Sequence, residues 1–236
     1  MKKVYIIKTG NTFLNIKKKY GDFEDWILKY INEIDTEIID VLKDEKLPLM
    51  ENCKGVIITG SHSMVTEEHL WSLEVETFIK SLAKEQIPLL GICYGHQLIA
   101  KSLGGEVIFN PKGMELGTVK ITLKDDAKKD FLFKNFGKDF YAHVVHSQSV
   151  LKLPHNSKVL AFNDFEANHT FKIEPCIWGV QFHPEYDEKI MKAYIKEVSK
   201  TKKLEEEKIL SQVKEASQSN KIIEFFIEFI KNYSNK

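Results

Sequence analysis

The sequence is poor in cysteine and carries no excess of charge of either sign. Its 236 residues contain three cysteines, Cys53, Cys93 and Cys176, and no CxxC pair. This odd count argues against a disulfide framework or a structural zinc site and suits a reducing compartment. Lysine plus arginine and aspartate plus glutamate both number 34, so the formal net charge is zero. That balance favours neither nucleic acid nor an anionic membrane surface as a partner.

Long apolar runs are also lacking. The first run, Val4–Ile7, ends at Lys8, far short of a signal-peptide core, and no later run approaches the length of a membrane-spanning helix. We therefore expect a cytoplasmic protein that does not bind membranes. The sequence has no internal repeat and no Pro- or Ser-rich linker, which favours one domain with a helical C-terminal extension.

Apolar runs of strand length alternate with amphipathic segments of helical length through the first hundred residues. The predicted strands are Val4–Lys8, Glu37–Val41, Gly55–Thr59 and Pro88–Ile92, and the predicted helices are Phe23–Ile34, Leu70–Lys84 and His96–Ser102. This alternation is typical of an α/β fold in which helices flank an open, mostly parallel sheet.

The pattern changes after Gly105. Four short strands are predicted, at Val107–Asn110, Gly117–Leu123, Phe140–Val145 and Val159–Asn163, and they indicate a small additional antiparallel sheet. The run Cys176–Phe182 returns to a buried strand. Farther on, the charge-dense Lys200–Lys208 predicts a solvated helix face. Ile222–Tyr233 predicts a helix that either docks on the body of the domain or binds a partner.

One cysteine lies in a strand-to-helix turn. Gly91-Ile92-Cys93-Tyr94-Gly95 has the G-x-nucleophile-x-G spacing, in which a Cβ at either glycine would collide with a neighbouring strand or helix. The helix that begins just after Cys93 offers unpaired N–H groups and a positive dipole end, both of which favour a thiolate. Because free cysteine is most often a small buried hydrophobe, this segment alone leaves catalysis and burial equally open.

A base and an orienting group lie at the end of the later strand. In Gln181-Phe182-His183-Pro184-Glu185, His183 and Glu185 are two positions apart and so point to the same side of an extended chain. Glu185 can then hold one ring nitrogen of His183 while the other faces a thiol, which is the logic of a catalytic triad. The alternative is a surface histidine and glutamate at a strand end, and the presence of both half-sites in one chain weakens it.

A third strand end predicts donors for a tetrahedral oxyanion. The backbone N–H of Tyr94 is one natural donor, and the turn at Gly60, after Gly55–Thr59, is the second. An ordinary turn glycine is the competing interpretation of Gly60. Gly60, Cys93 and His183 each follow the C-terminal end of a predicted strand, however, and that edge of an open parallel sheet is where ligands bind.

Taken together, these segments resemble the class I (triad) glutamine amidotransferases. GICYGHQ, QFHPE and VIITGS match the nucleophile elbow, the His-x-Glu run and the oxyanion strand of that family. Two further segments, Gly113–Gly117 and His146–Val150, resemble stand-alone members similar to the glutaminase domain of GMP synthase. The resemblance covers roughly residues 1–190, which we take as the amidotransferase domain, with 191–236 as a helical extension packed on it.

The resemblance implies a flavodoxin-like fold and attack by Cys93 on the side-chain amide of glutamine. A γ-glutamyl thioester would form, His183 would shuttle protons, and Glu185 would hold His183. Gly60, Tyr94, Gln97, Ser147 and Gln148 would line the substrate site. Neither a metal nor another cofactor is expected, since His143 and His146 have no matching cluster of carboxylates or cysteines.

Two departures from the family keep other functions open. The chain has no ATP-binding motif of a synthetase, so ammonia would go to a separate synthetase or acceptor partner. The segment after Glu185 is also longer and more charged than a minimal domain requires. The alternatives are a γ-glutamyl peptide hydrolase with the same triad and a non-catalytic regulatory protein. A chaperone or glyoxalase-type protein is disfavoured because Tyr94, and not histidine, follows the cysteine. His62 and His169 are expected to be surface or locally bonded histidines.

Overall fold

The computed structural model describes residues 2–233. Its strands are β1 (Lys3–Lys8), β2 (Thr36–Asp40), β3 (Cys53–Ile58), β4 (Leu89–Ile92), β5 (Glu106–Phe109), β6 (Glu115–Leu123), β7 (Asp139–His146), β8 (Gln148–Lys152), β9 (Ser157–Phe162), β10 (Thr170–Ile173) and β11 (Ile177–Val180). Its helices are α1 (Leu14–Tyr20), α2 (Phe23–Leu28), α3 (Leu70–Lys84), α4 (Tyr94–Ser102), α5 (Glu188–Ser199), α6 (Glu206–Ser211) and α7 (Ser217–Asn232).

Within residues 2–233, nine strands form one mixed sheet in the order β2-β1-β3-β4-β11-β10-β9-β6-β7. The strands from β2 to β11 are parallel, and antiparallel pairs continue the sheet from β11 to β7. A separate antiparallel pair is formed by β5 and β8. The predicted α/β fold with a mostly parallel sheet and a small antiparallel one is confirmed.

The second half of the chain is divided between the two sheets differently from the prediction. Strands β9, β6 and β7 extend the main sheet. One edge of β10 pairs with β11, and its other edge is free to pair with β9, which in turn pairs with β6. Of the four strands predicted in this half, only β5 lies in the small sheet. Its partner there is β8, which was not predicted. The helix predicted over Phe23–Ile34 ends at Leu28, and a φ of 57° at Glu33 turns the chain toward β2.

Both faces of the parallel sheet are covered by helices. Along β3, Ile57 packs in the core cluster that contains Phe226 and Ile230 of α7, whereas Val56 and Ile58 pack in the cluster that contains residues of α3 and α4. This alternation follows from the two-residue period of a strand. The α7 side is close-packed, since a Cβ on Gly55 would lie 2.4 Å from Cδ1 of Ile230.

The segment that follows β11 packs along a third cluster. Helix α5 spans residue 190, the predicted end of the amidotransferase domain. Its buried Met191 and Tyr194 belong to the same core cluster as Phe23 and Trp26 of α2. The charge-dense segment 200–208 is solvated, but α5 ends at Ser199 and α6 starts only at Glu206. Among the described residues, no helix combines the length and apolarity needed to cross a membrane.

Candidate active site

The site lies where three neighbouring parallel strands end. Strand β4 lies between β3 and β11, so the residues that follow these strands meet at one edge of the sheet. Gly60 follows β3, Cys93 follows β4, and His183 follows β11. The predicted meeting of these strand ends is therefore present in the fold.

Cys93 occupies a cramped turn between β4 and α4. It directly precedes the first residue of α4. Its φ of 51° and ψ of −98° are a backbone conformation that residues other than glycine rarely adopt. A Cβ on Gly91 would lie 2.4 Å from the carbonyl oxygen of Gly95, and one on Gly95 would lie 2.6 Å from that of Ile58. Both flanking positions therefore require glycine, for the reason expected from the sequence.

His183 and Glu185 form a buried pair in the turn after β11. His183 Nδ1 lies 2.7 Å from Glu185 Oε1, and the ring of His183 stacks on that of Tyr186 with centroids 4.2 Å apart. The side-chain amide of Asn220 in α7 donates to the carbonyls of Pro184 and Tyr186, which fixes the turn. Within residues 2–233, His183 Nε2 has no hydrogen-bond partner of its own.

The charges around His183 favour its protonated form. Burial alone would lower the pKa of His183, but the carboxylate of Glu185 and the neighbouring Cys93 raise it well above its ordinary value. The opposing charges are therefore strong enough to overcome desolvation. The arrangement is suited to an imidazolium at His183 beside the Cys93 side chain.

Thr9, at the end of β1, fixes the turn that contains Gly60. Its hydroxyl donates to the carbonyls of Thr59 and Gly60 at 3.0 and 3.3 Å, and its N–H donates to the Thr59 hydroxyl at 3.0 Å. Because a trans peptide holds its N–H opposite its carbonyl, the N–H groups of Gly60 and Ser61 point away from Thr9. A Cβ on Gly60 would lie 2.9 Å from Cε1 of His183, so only glycine allows this approach.

The other predicted substrate residues lie around the same cavity, but several of their side chains are already hydrogen-bonded. The Tyr94 hydroxyl bonds to Ser72 at 2.7 Å, which leaves its backbone N–H as the group next to Cys93. Gln97 donates to the Gln148 carbonyl at 2.8 Å and to Gln181 Oε1 at 3.0 Å. The Gln148 side chain bonds to the backbone N–H of Val65 and to the Thr66 hydroxyl.

A cavity of about 290 Å³ opens beside Cys93 and His183. Besides Tyr94, Gln97, Ser147 and Gln148, its lining includes residues that were not predicted from the sequence to belong to the site: Phe13, Phe23, Ser61, His62, Ser63, Met64, Met114, Val145, His146, Tyr186, Tyr194, Val198, Thr201 and Lys202. Burial lowers the pKa of His62, and the charge of His183 lowers it further. His62 is exposed, and its Nε2 lies 3.3 Å from the Tyr194 hydroxyl, which agrees with the expectation of a surface or locally bonded histidine.

A second carboxylate–imidazole cluster was also missed. The buried carboxylate of Glu115 contacts His146 Nε2 at 2.9 Å and His169 Nε2 at 3.3 Å, and it accepts from Asn163 at 2.7 Å. His169 is fully buried against Glu115, so it is not a surface histidine but fits the other half of its expectation, a locally bonded one. The spacing of His143 and His146 gave no sign of this cluster, because Glu115 and His169 come from other segments. Across residues 2–233, no group of three or more potential ligands is arranged to hold a metal ion.

Comparison with known proteins identifies the family. A family model for glutamine amidotransferase class-I matches residues 16–201. The chain belongs to that family. It is 34% identical over 175 residues to gamma-glutamyl peptidase 2 of Arabidopsis thaliana, an alignment that covers 74% of this chain and 68% of the plant protein.

Relatives of this class-I amidotransferase chain also include GMP synthases. It is 31% identical over 159 residues to a glutamine-hydrolyzing GMP synthase subunit of Methanococcus vannielii, and the alignment covers 67% of this chain and 78% of the archaeal one. It is 33% identical over 186 residues to the GMP synthase of Borreliella burgdorferi, but spans only 34% of that longer protein.

Solved structures agree with the fold. A glutamine amidotransferase from Thermotoga maritima superposes with a TM-score of 0.75 at 22% identity, covering 98% of this chain and 97% of that one. One from Methylobacillus flagellatus gives 0.79 at 19% identity, covering 100% and 97%. At such identities these likenesses concern the fold alone.

Proposed function

We propose that the chain hydrolyses the side-chain amide bond of glutamine or of a γ-glutamyl compound through a Cys93–His183–Glu185 triad. The observation that carries the proposal is the meeting of Cys93 with the buried His183–Glu185 pair at one edge of the sheet, with His183 Nδ1 2.7 Å from Glu185 Oε1. The strained elbow at Cys93 and the open His183 Nε2 support the same chemistry.

In the first half of the reaction, the Cys93 thiolate attacks the amide carbon of the substrate. A carbon–sulfur bond forms as the carbon–nitrogen bond breaks, and the protonated His183 gives its proton to the departing nitrogen. The products are a γ-glutamyl thioester and ammonia, or an amine when the substrate is a γ-glutamyl peptide. Glu185 keeps the imidazole in the tautomer and orientation that this transfer needs.

In the second half, water cleaves the thioester. The oxygen of the water attacks the thioester carbon while neutral His183 takes a proton from the water. The carbon–sulfur bond then breaks, and the Cys93 sulfur leaves as a thiolate. Glutamate is released and the triad returns to its starting state. In both halves the backbone N–H groups of Tyr94 and Gly60 would stabilise the oxyanion, each worth roughly 3 kcal/mol of barrier.

A second candidate, γ-glutamyl peptide hydrolase, uses the same triad. Two observations favour it: the cavity extends to aromatic side chains that ammonia release does not require, and a relative at 34% identity is a gamma-glutamyl peptidase. The Methanococcus relative is by name one subunit of its synthase, which supports a separate synthetase partner as the other destination of the nitrogen.

The deciding experiment measures ammonia and glutamate released from glutamine, and glutamate released from γ-glutamyl dipeptides, by the purified protein. We expect turnover by the wild type and its loss, by at least about 10³-fold, in Cys93→Ala. Cys53→Ala, which changes a buried thiol away from the site, is the matched control and keeps the activity. Equal rates in wild type and Cys93→Ala would exclude the triad. A protein that is silent even when co-purified with its native partners, and that a glutamine-analogue electrophile fails to label at Cys93, would be a non-catalytic member of the family.

A further inference from the structure

The residues that line the cavity divide into two groups by their contacts. The first group is joined by amide hydrogen bonds: Gln97 Nε2 donates to the Gln148 carbonyl at 2.8 Å, and His146 Nδ1 lies 3.0 Å from the same oxygen. The second group is aromatic. The ring centroids of Phe13 and His62 are 4.5 Å apart, and Tyr194 lies 5.4 Å from Phe13 and 5.9 Å from His62.

Hydrogen bonds and core packing hold Tyr194 in the aromatic group. The Tyr194 hydroxyl lies 2.7 Å from the hydroxyl of buried Thr12 and 3.3 Å from Nε2 of His62. Tyr194 itself is anchored in the core that α5 shares with α2. Because Tyr194 is anchored in this way, a ligand that packs against its ring costs little conformational entropy of that side chain.

The mouth beside these rings is formed by the end of α5 and the turn after it. Val198, Thr201 and Lys202 line the cavity there. None of the described residues that line the cavity carries a carboxylate, and Lys202 has no ion pair within residues 2–233, whereas the nearby Lys200 is bound to Glu197. This part of the cavity therefore combines an apolar wall with one available cation, a combination that suits an organic anion.

Glutamine hydrolysis makes no use of such a wall, since the leaving group is ammonia. Two of the residues concerned, Phe13 and Lys202, also lie outside residues 16–201, the part of the chain that the family model matches. Both of them line the cavity that Cys93 also lines.

We propose that Phe13, His62, Tyr194, Val198, Thr201 and Lys202 form a leaving-group site, which rests on the proposed hydrolysis at Cys93. The site takes the amine part of a γ-glutamyl amide whose amine is an amino acid or short peptide with an apolar side chain and a free carboxylate. The rings pack against the apolar side chain, and Lys202 binds the carboxylate. On cleavage the amine nitrogen takes its proton from His183, and the amino acid or peptide leaves from this site.

The test compares three substrates: glutamine, γ-glutamyl-phenylalanine, and γ-glutamyl-phenylalanine amide, which lacks the terminal carboxylate. We expect the wild-type kcat/KM to be about fivefold higher for the acid than for its amide, as for one partly exposed ion pair. In Lys202→Ala that ratio falls to about one. Lys203→Ala is the matched control, because Lys203 is the exposed neighbour that does not line the cavity, and it keeps the wild-type ratio.

A second comparison tests the apolar wall. The ratio of kcat/KM for γ-glutamyl-phenylalanine to that for γ-glutamyl-glycine should fall several-fold in Phe13→Ala and be largely restored in Phe13→Leu. Calorimetry of γ-glutamyl-phenylalanine binding to the Cys93→Ala variant tests Lys202 without turnover. We expect the affinity to fall about fivefold when Lys202→Ala is added to Cys93→Ala. Thermal unfolding of each variant separates a loss of recognition from a loss of folding.

The outcomes are distinguishable from those of the proposed function. If the wild type cleaves these substrates but the acid-to-amide ratio is the same in wild type, Lys202→Ala and Lys203→Ala, the leaving-group site is wrong while the triad stands. An equal loss for all three substrates in Lys202→Ala would mean that Lys202 binds the α-carboxylate of the glutamyl part, which also overturns the assignment. If the wild type cleaves none of them and Cys93 is not labelled by a glutamine-analogue electrophile, both proposals fall.

Discussion

Two buried pairs of a carboxylate and an imidazole in this protein have the same side-chain chemistry. They differ in whether the second ring nitrogen of the histidine has a hydrogen-bond partner. In the first, Glu185 holds His183 Nδ1 at 2.7 Å, and His183 Nε2 has no partner within residues 2–233. In the second, Glu115 holds His146 Nε2 at 2.9 Å, and His146 Nδ1 is also bonded, to the Gln148 carbonyl at 3.0 Å. An imidazole with both nitrogens bonded is fixed in place, whereas one with a free nitrogen beside a thiol can move a proton.

The two carboxylates differ in the same way. Glu115 is shared among His146, His169 and Asn163, and although burial raises its pKa, the two histidines lower it to about 2. Glu185 serves one imidazole, and its second oxygen has no partner among the described residues. The difference teaches that burial and pairing alone do not mark a catalytic pair. The two pairs differ in that His183 keeps a ring nitrogen without a hydrogen-bond partner and, like Cys93, lines the cavity.

Replacing each imidazole in turn gives the largest expected effect. His183→Gln should lower kcat by at least about 10³-fold, because it removes the group that transfers the proton. His146→Gln should keep at least about a tenth of the activity while lowering the free energy of unfolding by about 2 kcal/mol, through the loss of a charge-assisted hydrogen bond. Steady-state kinetics and urea unfolding of both variants measure this contrast. Similar losses of kcat in the two variants would contradict the distinction between the two pairs.

Neutralising Glu185 should change the pH dependence of the reaction. The carboxylate raises the pKa of His183, so its imidazolium, the proposed proton donor to the leaving group, persists above the ordinary histidine range and is lost as pH rises through the raised pKa. Glu185→Gln removes that charge, and the alkaline limb of kcat/KM should move down by about one pH unit or more, with a lower kcat. Glu188→Gln, a change at a partly exposed position of α5, is the control and keeps the wild-type profile. An unmoved alkaline limb in Glu185→Gln would contradict the role given to Glu185.

Neutralising Glu115 should affect stability more than activity. Its pKa in the folded protein, about 2, lies below the ordinary 4.5, so its contribution to stability is present above pH 4.5 and is lost as pH falls toward 2. Glu115→Gln should therefore lower the free energy of unfolding by about 2 kcal/mol at neutral pH, with the deficit shrinking in acid. Urea unfolding at several pH values measures it. A deficit that does not change with pH would show that the charge of Glu115 is not what stabilises the cluster.

Much of the fold was predictable because its signals are local. The buried strands that precede Gly60, Cys93 and His183 are marked by apolar runs and by the glycines that the turns require. Helices such as α3 are marked by the helical spacing of their apolar residues. Strand β10 carries a lysine between its only two apolar residues, Phe171 and Ile173, and α1 buries a single residue, Ile16, so neither gives a clear apolar signal. The division of the chain at residue 190 stays a prediction.

The site was predictable only where neighbours in space are also marked in sequence. His183 and Glu185 share one strand end, so their pairing follows from alternation. The Glu115 cluster and the wall of Phe13, His62 and Tyr194 join segments from distant parts of the chain, and each residue alone has no distinguishing context. The catalytic roles of Cys93, His183 and Glu185, and the substrate roles of Gly60, Tyr94, Gln97, Ser147 and Gln148, stay predictions until activity is measured.

The placement of β4 next to β11 has a consequence for how the protein is made. Residues 93–176 separate these two neighbours in sequence, so their pairing closes a long loop and belongs to the slow, non-local part of folding. Until it forms, Cys93 lies at the end of a strand without the imidazole of His183 nearby. On the proposed mechanism, the triad can therefore assemble only once β4 and β11 have paired.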